Sequence, residues 1–249
     1  HFMNPQTMSE IAYYPAMKRW NDSVDGVLRA WAGRDLASEW PHPLAEALIG
    51  YMDEARVDVC FCLREPMMDI SGGSASMSTN GFMLQQIEPY PGRMFLEANC
   101  GPVIRRGLEH AIWELEYLVK ERGAKLCKMY QPEDAGPIND RRLWPFYAKA
   151  EELGVPLTVH TGNSYVVPQP GSHCEVRQLD DVMLAFPDLK VIAYHAGWPD
   201  TEALIGLCGK HVNLYMSLSG IIGWYQRAPY RGYHAIGTAM QWMPADKIV

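Results

Sequence analysis

The chain has 249 residues, of which 48% are apolar and 20% charged, and a formal net charge of −7. That apolar share can fill a core, yet no apolar run approaches the roughly 20 residues of a membrane-spanning helix. Basic residues are scattered, which excludes the clustered cationic face of a nucleic-acid binder or an anionic-membrane binder.

Short apolar runs recur along the chain, each ending in polar or glycine-bearing sequence: "RVDVCFCL" (56–63), "RMFLEANC" (93–100), "AKLCKMY" (124–130), "PLTVHT" (156–161), "KVIAYHA" (190–196) and "VNLYMSLS" (212–219). A seventh, "DKIV", occupies 246–249. Near-continuous apolarity is the pattern of parallel strands covered on both faces. Helix periodicity falls between them. In "IRRGLEHAIWELEYLVKERG", Leu108, Ala111, Ile112, Leu115, Leu118 and Val119 form one stripe closed by Gly123. In "NDRRLWPFYAKAEELG", Asn139 or Asp140 caps, Pro145 belongs in the first turn, and Gly154 terminates. Similar stripes run through "LAEALIGYMDEA", "VRQLDDVMLAF" and "DTEALIGLCGK", whereas "SGGSASMSTNG" (71–81) and "SGIIGWYQRAPYRGYH" (219–234) read as loops.

Strand ends therefore recur about every 30 residues, one strand–helix unit each, and seven such units are visible. The economical reading is an α/β protein with a (β/α)8 TIM barrel, a single domain over 1–249 lacking its first strand and the end of its last. An open doubly wound sheet is the alternative, but no G-x-G-x-x-G follows any strand.

Six cysteines, Cys60, Cys62, Cys100, Cys127, Cys174 and Cys208, show no C-x-x-C spacing. They read as free thiols in a reducing, cytoplasmic compartment. The N-terminus shows no secretory signal. A homodimer is the default expectation for a soluble enzyme.

Two strand runs end on a histidine with a glycine two residues on: His160 in "VHTGN" and His195 in "YHAGWP". The carboxyl ends of barrel strands form the active-site face. Matching histidines on consecutive strands can converge on one ion or one substrate atom, and imidazole is both a common metal ligand and a common general base.

"PLTVHTG", "FPDLKVIAYHAGWP" and "HVNLYMSLSG" together resemble the amidohydrolase-related superfamily, in the branch of aminocarboxymuconate-semialdehyde decarboxylase and its hydrolase relatives. The resemblance implies one divalent metal, zinc first and manganese as the alternative. It makes His160 a metal ligand and His195 the strand-six histidine, a catalytic base or orienting group beside the metal. "HFMNP" resembles the sequence after the branch's H-x-H pair, so His1 would be a second metal ligand. "PADKIV" resembles the approach to the branch's strand-eight aspartate. Lys128 corresponds to the strand end where some two-metal relatives carry a carboxylated lysine. In this branch it reads as a structural or substrate-contacting residue.

Other groups at the same face are candidate substrate contacts. Arg64 ends "CFCLREP" and offers a fork of donors to a carboxylate, or else a surface ion pair. The long loops "TGNSYVVPQPGSHCE" (161–175) and "SGIIGWYQRAPYRGYH" (219–234) carry Tyr165, Trp224, Tyr225 and Arg227, suited to a planar or acidic small molecule and equally to packing of the loops on themselves. His173 and His234 in those loops read as surface or pocket residues. No G-x-S-x-G elbow and no phosphate-cradling glycine loop is present.

The expected function is a metal-dependent hydrolase acting on a small carboxylated or cyclic substrate, such as a lactone or amide, with metal-activated water attacking the carbonyl. The alternative on the same scaffold is a non-oxidative decarboxylase of a hydroxyaromatic or muconate-type acid. A barrel without catalysis is the reading from another class.

Overall fold

A computed structural model describes residues 45–64, 79–164, 170–220 and 229–249. Within them the apolar runs are strands: β1 (Cys60–Leu63), β2 (Met94–Asn99), β3 (Leu126–Met129), β4 (Leu157–His160), β5 (Val191–Tyr194) and β6 (Leu214–Met216). They make one parallel sheet whose strand order follows the chain. "DKIV" continues the series. Ile248 bridges Met216 in parallel, and Val249 N–H donates to the Met216 carbonyl at 2.9 Å.

Helices fill every crossover. In chain order they are α1 (Ala45–Ala55), α2 (Asn80–Ile87), α3 (Val103–Arg106), α4 (Leu108–Lys120), α5 (Gln131–Asp134), α6 (Trp144–Leu153), α7 (Gln178–Ala185), α8 (Thr201–Lys210) and α9 (Pro229–Trp242). Parallel neighbours in sequence order with a helix in each connection are the TIM-barrel arrangement. No helix among the described residues is long and apolar enough to cross a membrane.

Sequence and structure agree closely on α6. Asp140 caps the 3-10 turn Arg141–Leu143 by accepting from Arg142 N–H, Pro145 sits in the first helical turn, and Gly154 ends the helix at φ 66°. Phe146, Tyr147 and Ala150 form its buried face. Three departures are local. The stripe expected across 104–123 is two helices, because Gly107 at φ 106° breaks it. The tract at 71–81 ends inside α2, whose N-cap Thr79 accepts from Phe82 N–H. The segment from Pro229 is the start of α9 rather than loop, so His234 is helical.

Strand register sorts side chains onto two faces, since successive residues point opposite ways. Leu96, Cys127, Leu157, Val191 and Leu214 lie on the face beneath the helices, all fully buried. The opposite face, the barrel interior, carries Glu97, Lys128, Thr158, Tyr194 and His160. Barrel interiors are usually filled with branched apolar side chains. Here a charged and hydroxyl-bearing layer lies below the strand ends.

Candidate active site

His160 is the last residue of β4, and His195 directly follows β5. The two rings meet, with centroids 4.5 Å apart, an interplanar angle of 65°, and His195 Nε2 3.1 Å from His160 Nδ1. His195 reaches this place through a left-handed turn, with φ of 63° at His195, 46° at Ala196 and 64° at Gly197. Positive φ is costly for residues bearing a Cβ, and such strain concentrates at functional sites.

The repeated glycine two residues after each histidine has a steric cause. Gly162 at φ 80° lies under the next loop, where an added Cβ would stand 2.0 Å from the Trp198 carbonyl oxygen. Asn163 N–H donates to that carbonyl at 2.7 Å. Gly197 is equally confined, with a would-be Cβ 2.5 Å from Val176 Cγ1. The two histidine-bearing loops are thus locked together.

The outer nitrogens set the tautomers. His160 Nε2 lies 3.1 Å from the Asn163 carbonyl and His195 Nδ1 lies 3.1 Å from the Ser219 carbonyl. A carbonyl only accepts, so both nitrogens carry hydrogen, leaving a lone pair on each facing nitrogen. Burial holds both rings in the neutral form. Desolvation first, then the neighbouring His195 and Lys128 charges, holds His160 well below the ordinary imidazole value. Desolvation and then Lys128 lower His195 to about 4.

Two lone pairs facing each other at 3.1 Å repel unless something electrophilic lies between or beside them. Two imidazoles sharing a divalent ion at bond lengths of about 2.0–2.1 Å stand about 2.9–3.4 Å apart. The pair therefore fits a divalent ion bound at His160 Nδ1, with His195 Nε2 either sharing it or accepting a proton next to it. Among the described residues no group of three or more His, Cys, Asp or Glu side chains gathers to complete such a site. His1 lies outside the described residues, as do Tyr165 and Trp224.

Below the pair, the Glu97 carboxylate accepts from Thr158 Oγ1 and from Tyr194 OH, at 2.9 and 3.0 Å to its two oxygens. Lys128 is buried on β3 between them, with Nζ 3.7 Å from the centroid of the Tyr194 ring. Residue-by-residue reading of the sequence singled out Lys128 but missed Glu97, Thr158 and Ser219. Glu97 sits inside an apolar run, and only the alternation of faces marks it as interior.

Arg64 lies at the end of β1 but is 6% exposed, its Nη1 donating to the Asn99 and Gly101 carbonyls. Asn80 joins the same knot through Asn99 and Glu114. An open cavity of about 380 Å³ lies between the loop after β5 and the start of α9, lined by Arg177, Trp198, Tyr230, Arg231 and His234 among others. Neither His160 nor His195 lines it.

A family model described as amidohydrolase matches residues 83–249, about two thirds of the chain. Among solved structures, an uncharacterised TIM-barrel protein from Bordetella bronchiseptica superposes with a TM-score of 0.68 at 20% identity, covering 82% of this chain and 68% of its own. A 5-carboxyvanillate decarboxylase from Novosphingobium aromaticivorans with bound manganese gives 0.61 at 15% identity, covering 83% and 70%. A probable 2-pyrone-4,6-dicarboxylic acid hydrolase from Acinetobacter baumannii with citric acid bound gives 0.59 at 16% identity, covering 84% and 74%. At such identities the likeness speaks to the fold. A search of curated proteins returns no match.

Proposed function

We propose a function from one premise: the chain belongs to the amidohydrolase family, and it is an enzyme of that family. The reading is a metal-dependent hydrolase that cleaves a C–O or C–N bond in a small carboxylated or cyclic substrate, such as a lactone or amide. The observation that carries it is the approach of His160 Nδ1 and His195 Nε2 to 3.1 Å on neighbouring strand ends, with the outer ring nitrogens beside the Asn163 and Ser219 carbonyls.

His160 would hold the divalent ion, with His1 as a further ligand. Zinc is the first expectation and manganese the second, since imidazole accepts either. Such an ion supplies Lewis acidity, polarising a substrate oxygen and acidifying water. His195 moves the proton. Its Nε2 takes one from water as the water oxygen adds to the substrate carbonyl carbon. When the bond to the leaving oxygen or nitrogen breaks, the same nitrogen returns the proton to that atom. The Ser219 carbonyl holds Nδ1–H, which keeps Nε2 as the basic nitrogen and stabilises the imidazolium between the two transfers. Lys128 would contact the substrate, and Tyr165 and Trp224 would line it.

A second reading, non-oxidative decarboxylation of a hydroxyaromatic or muconate-type acid, is favoured by the Lys128 ammonium beside the histidines, a place for the carboxylate that is lost. There His195 would protonate the carbon from which carbon dioxide departs. Metal content per chain, measured on wild type and His160→Ala, tests the common premise. Assay of lactones and amides against hydroxyaromatic acids, with carbon dioxide release as the second readout, separates the two.

A further inference from the structure

β3 ends at Met129, and the next residue, Tyr130, opens α5. Met129 pairs with Val159, so one step on Tyr130 stands level with His160 at the end of β4. Alternation along the strand puts it on the interior face. Tyr130 is buried, and its ring meets that of His160 edge to face, with centroids 4.8 Å apart and planes at 68°.

The phenol also ties down the β4 loop. Tyr130 OH and Ser164 Oγ share a hydrogen bond at 2.9 Å. Ser164 directly follows Asn163, whose N–H donates to the Trp198 carbonyl at 2.7 Å and whose own carbonyl lies 3.1 Å from His160 Nε2. The Asn163 carbonyl is therefore held between a tether to the β5 loop on one side and a tether to β3 on the other. A neutral imidazole can carry its proton on either nitrogen, and the partner of one nitrogen decides which stays basic. Whatever fixes the Asn163 carbonyl thus bears on which face of the His160 ring is offered to the site.

We infer that Tyr130 is a positioning residue for His160: by holding Ser164, and with it the Asn163 carbonyl, it keeps the ring proton on Nε2 and presents Nδ1 toward His195 and the ion. The ion itself rests on the metal reading above, whereas the tautomer is a property of the metal-free chain and is read separately. Outer partners of metal-binding histidines set ring orientation and tautomer, and losing one costs about 10–100-fold in metal affinity or activity. Tyr130 acts one bond further out, so the loss of its hydroxyl should cost about fivefold, the worth of one net hydrogen bond.

The test reads the tautomer and the ion independently. Proton–nitrogen correlation spectra of the metal-free protein, recorded at about pH 8 where imidazole is neutral, show which ring nitrogen carries hydrogen, and His160→Gln identifies the His160 signal. Free manganese is followed by electron paramagnetic resonance. In the wild type His160 carries its proton on Nε2. Tyr130→Phe and Ser164→Ala each move the signal toward a mixture of tautomers and weaken manganese binding about fivefold. The double variant is within about twofold of either single one, because both changes remove the same bond. Tyr147→Phe drops a different buried phenol bond, to the Ile138 carbonyl at 2.7 Å, and leaves the His160 signal in place.

A wild-type His160 protonated on Nδ1 overturns the inference. So does an unchanged His160 signal in Tyr130→Phe and Ser164→Ala, or an equal shift in Tyr147→Phe. Losses that multiply to about 25-fold in the double variant also overturn it, since the two groups would then act apart. Should Tyr130→Phe fail to fold, Ser164→Ala alone carries the same expectation. Failure of the metal reading looks different: no form binds manganese, while the tautomer shift is intact. That result leaves Tyr130 in its role and removes the ion.

Discussion

Glu97 and Tyr194 lie on β2 and β5, three strand spacings apart, and their side chains are hydrogen-bonded at 2.9 Å. In a flat sheet that separation is about 14 Å at about 4.8 Å per strand, too far for side chains standing upright on one face. The contact requires the sheet to curl toward the face that carries Glu97. One hydrogen bond thus records the curvature of the barrel, and it does so from the buried polar layer.

Removing the phenol should loosen that layer. Tyr194→Phe leaves the Glu97 carboxylate with fewer donors in a site that water reaches poorly. We expect a loss of about 1–3 kcal/mol, the usual cost of an unsatisfied buried polar group. Chemical denaturation followed by circular dichroism measures it, and an unchanged midpoint would show that water replaces the phenol.

Gly162→Ala should be much worse than a typical surface change. The added Cβ meets a backbone oxygen at 2.0 Å, at a φ of 80° that alanine resists. We expect a loss of about 3 kcal/mol or more, since the neighbour that must move is main chain. Gly171→Ala, where nothing lies within 4 Å of the new Cβ, is the control and should melt close to wild type.

Metal content should separate the two histidines. His160→Ala loses the bound ion, whereas His195→Ala keeps most of it and loses turnover by about 100-fold or more, in line with the usual general acid–base contribution of about 10²–10⁴. Elemental mass spectrometry on both variants decides. Loss of metal from both would make His195 a shared ligand.

Acid should destabilise the metal-free protein through His195. Its pKa is about 6.5 unfolded and about 4 folded, so between those values the unfolded chain binds more protons. Stability then falls as pH drops from about 6.5 to 4 and flattens below. The contribution is at most about 3.5 kcal/mol at about 1.4 kcal/mol per pH unit. Unfolding midpoints across that range should slope less in His195→Gln.

Cys60 should be the most reactive thiol. Its Sγ lies 3.9 Å from that of Cys62, whose hydrogen bond, with help from Arg93, lowers it to about 7, while Cys62 is pushed up. Iodoacetamide labelling read by peptide mass spectrometry should reach half its maximal rate near pH 7 at Cys60. Labelling at the buried Cys127 or Cys208 should lag far behind.

The strands were legible because each is a short apolar run ended by polar sequence, and parallel burial erases the alternation that would complicate them. The histidine pair was legible from position alone. Its tautomers were not, because they depend on the carbonyls of Asn163 and Ser219, which only the folded loops bring near. The Glu97 layer was hidden for a related reason: its partners are 61 and 97 residues away. α9 was missed because Pro229, Gly232 and Gly237 lower helix propensity, which tertiary packing overrides. Arg64 was visible as a strand-end arginine, but the sequence carries no sign that the Asn99 and Gly101 carbonyls would engage it.

The locking of Gly162 beneath Trp198 has a bearing on how this scaffold can change. Because the two histidine loops share one steric seam, neither tolerates insertion or exchange on its own. A new specificity grafted onto this barrel would have to come from connections elsewhere on the rim, with the β4 and β5 loops inherited as a matched pair.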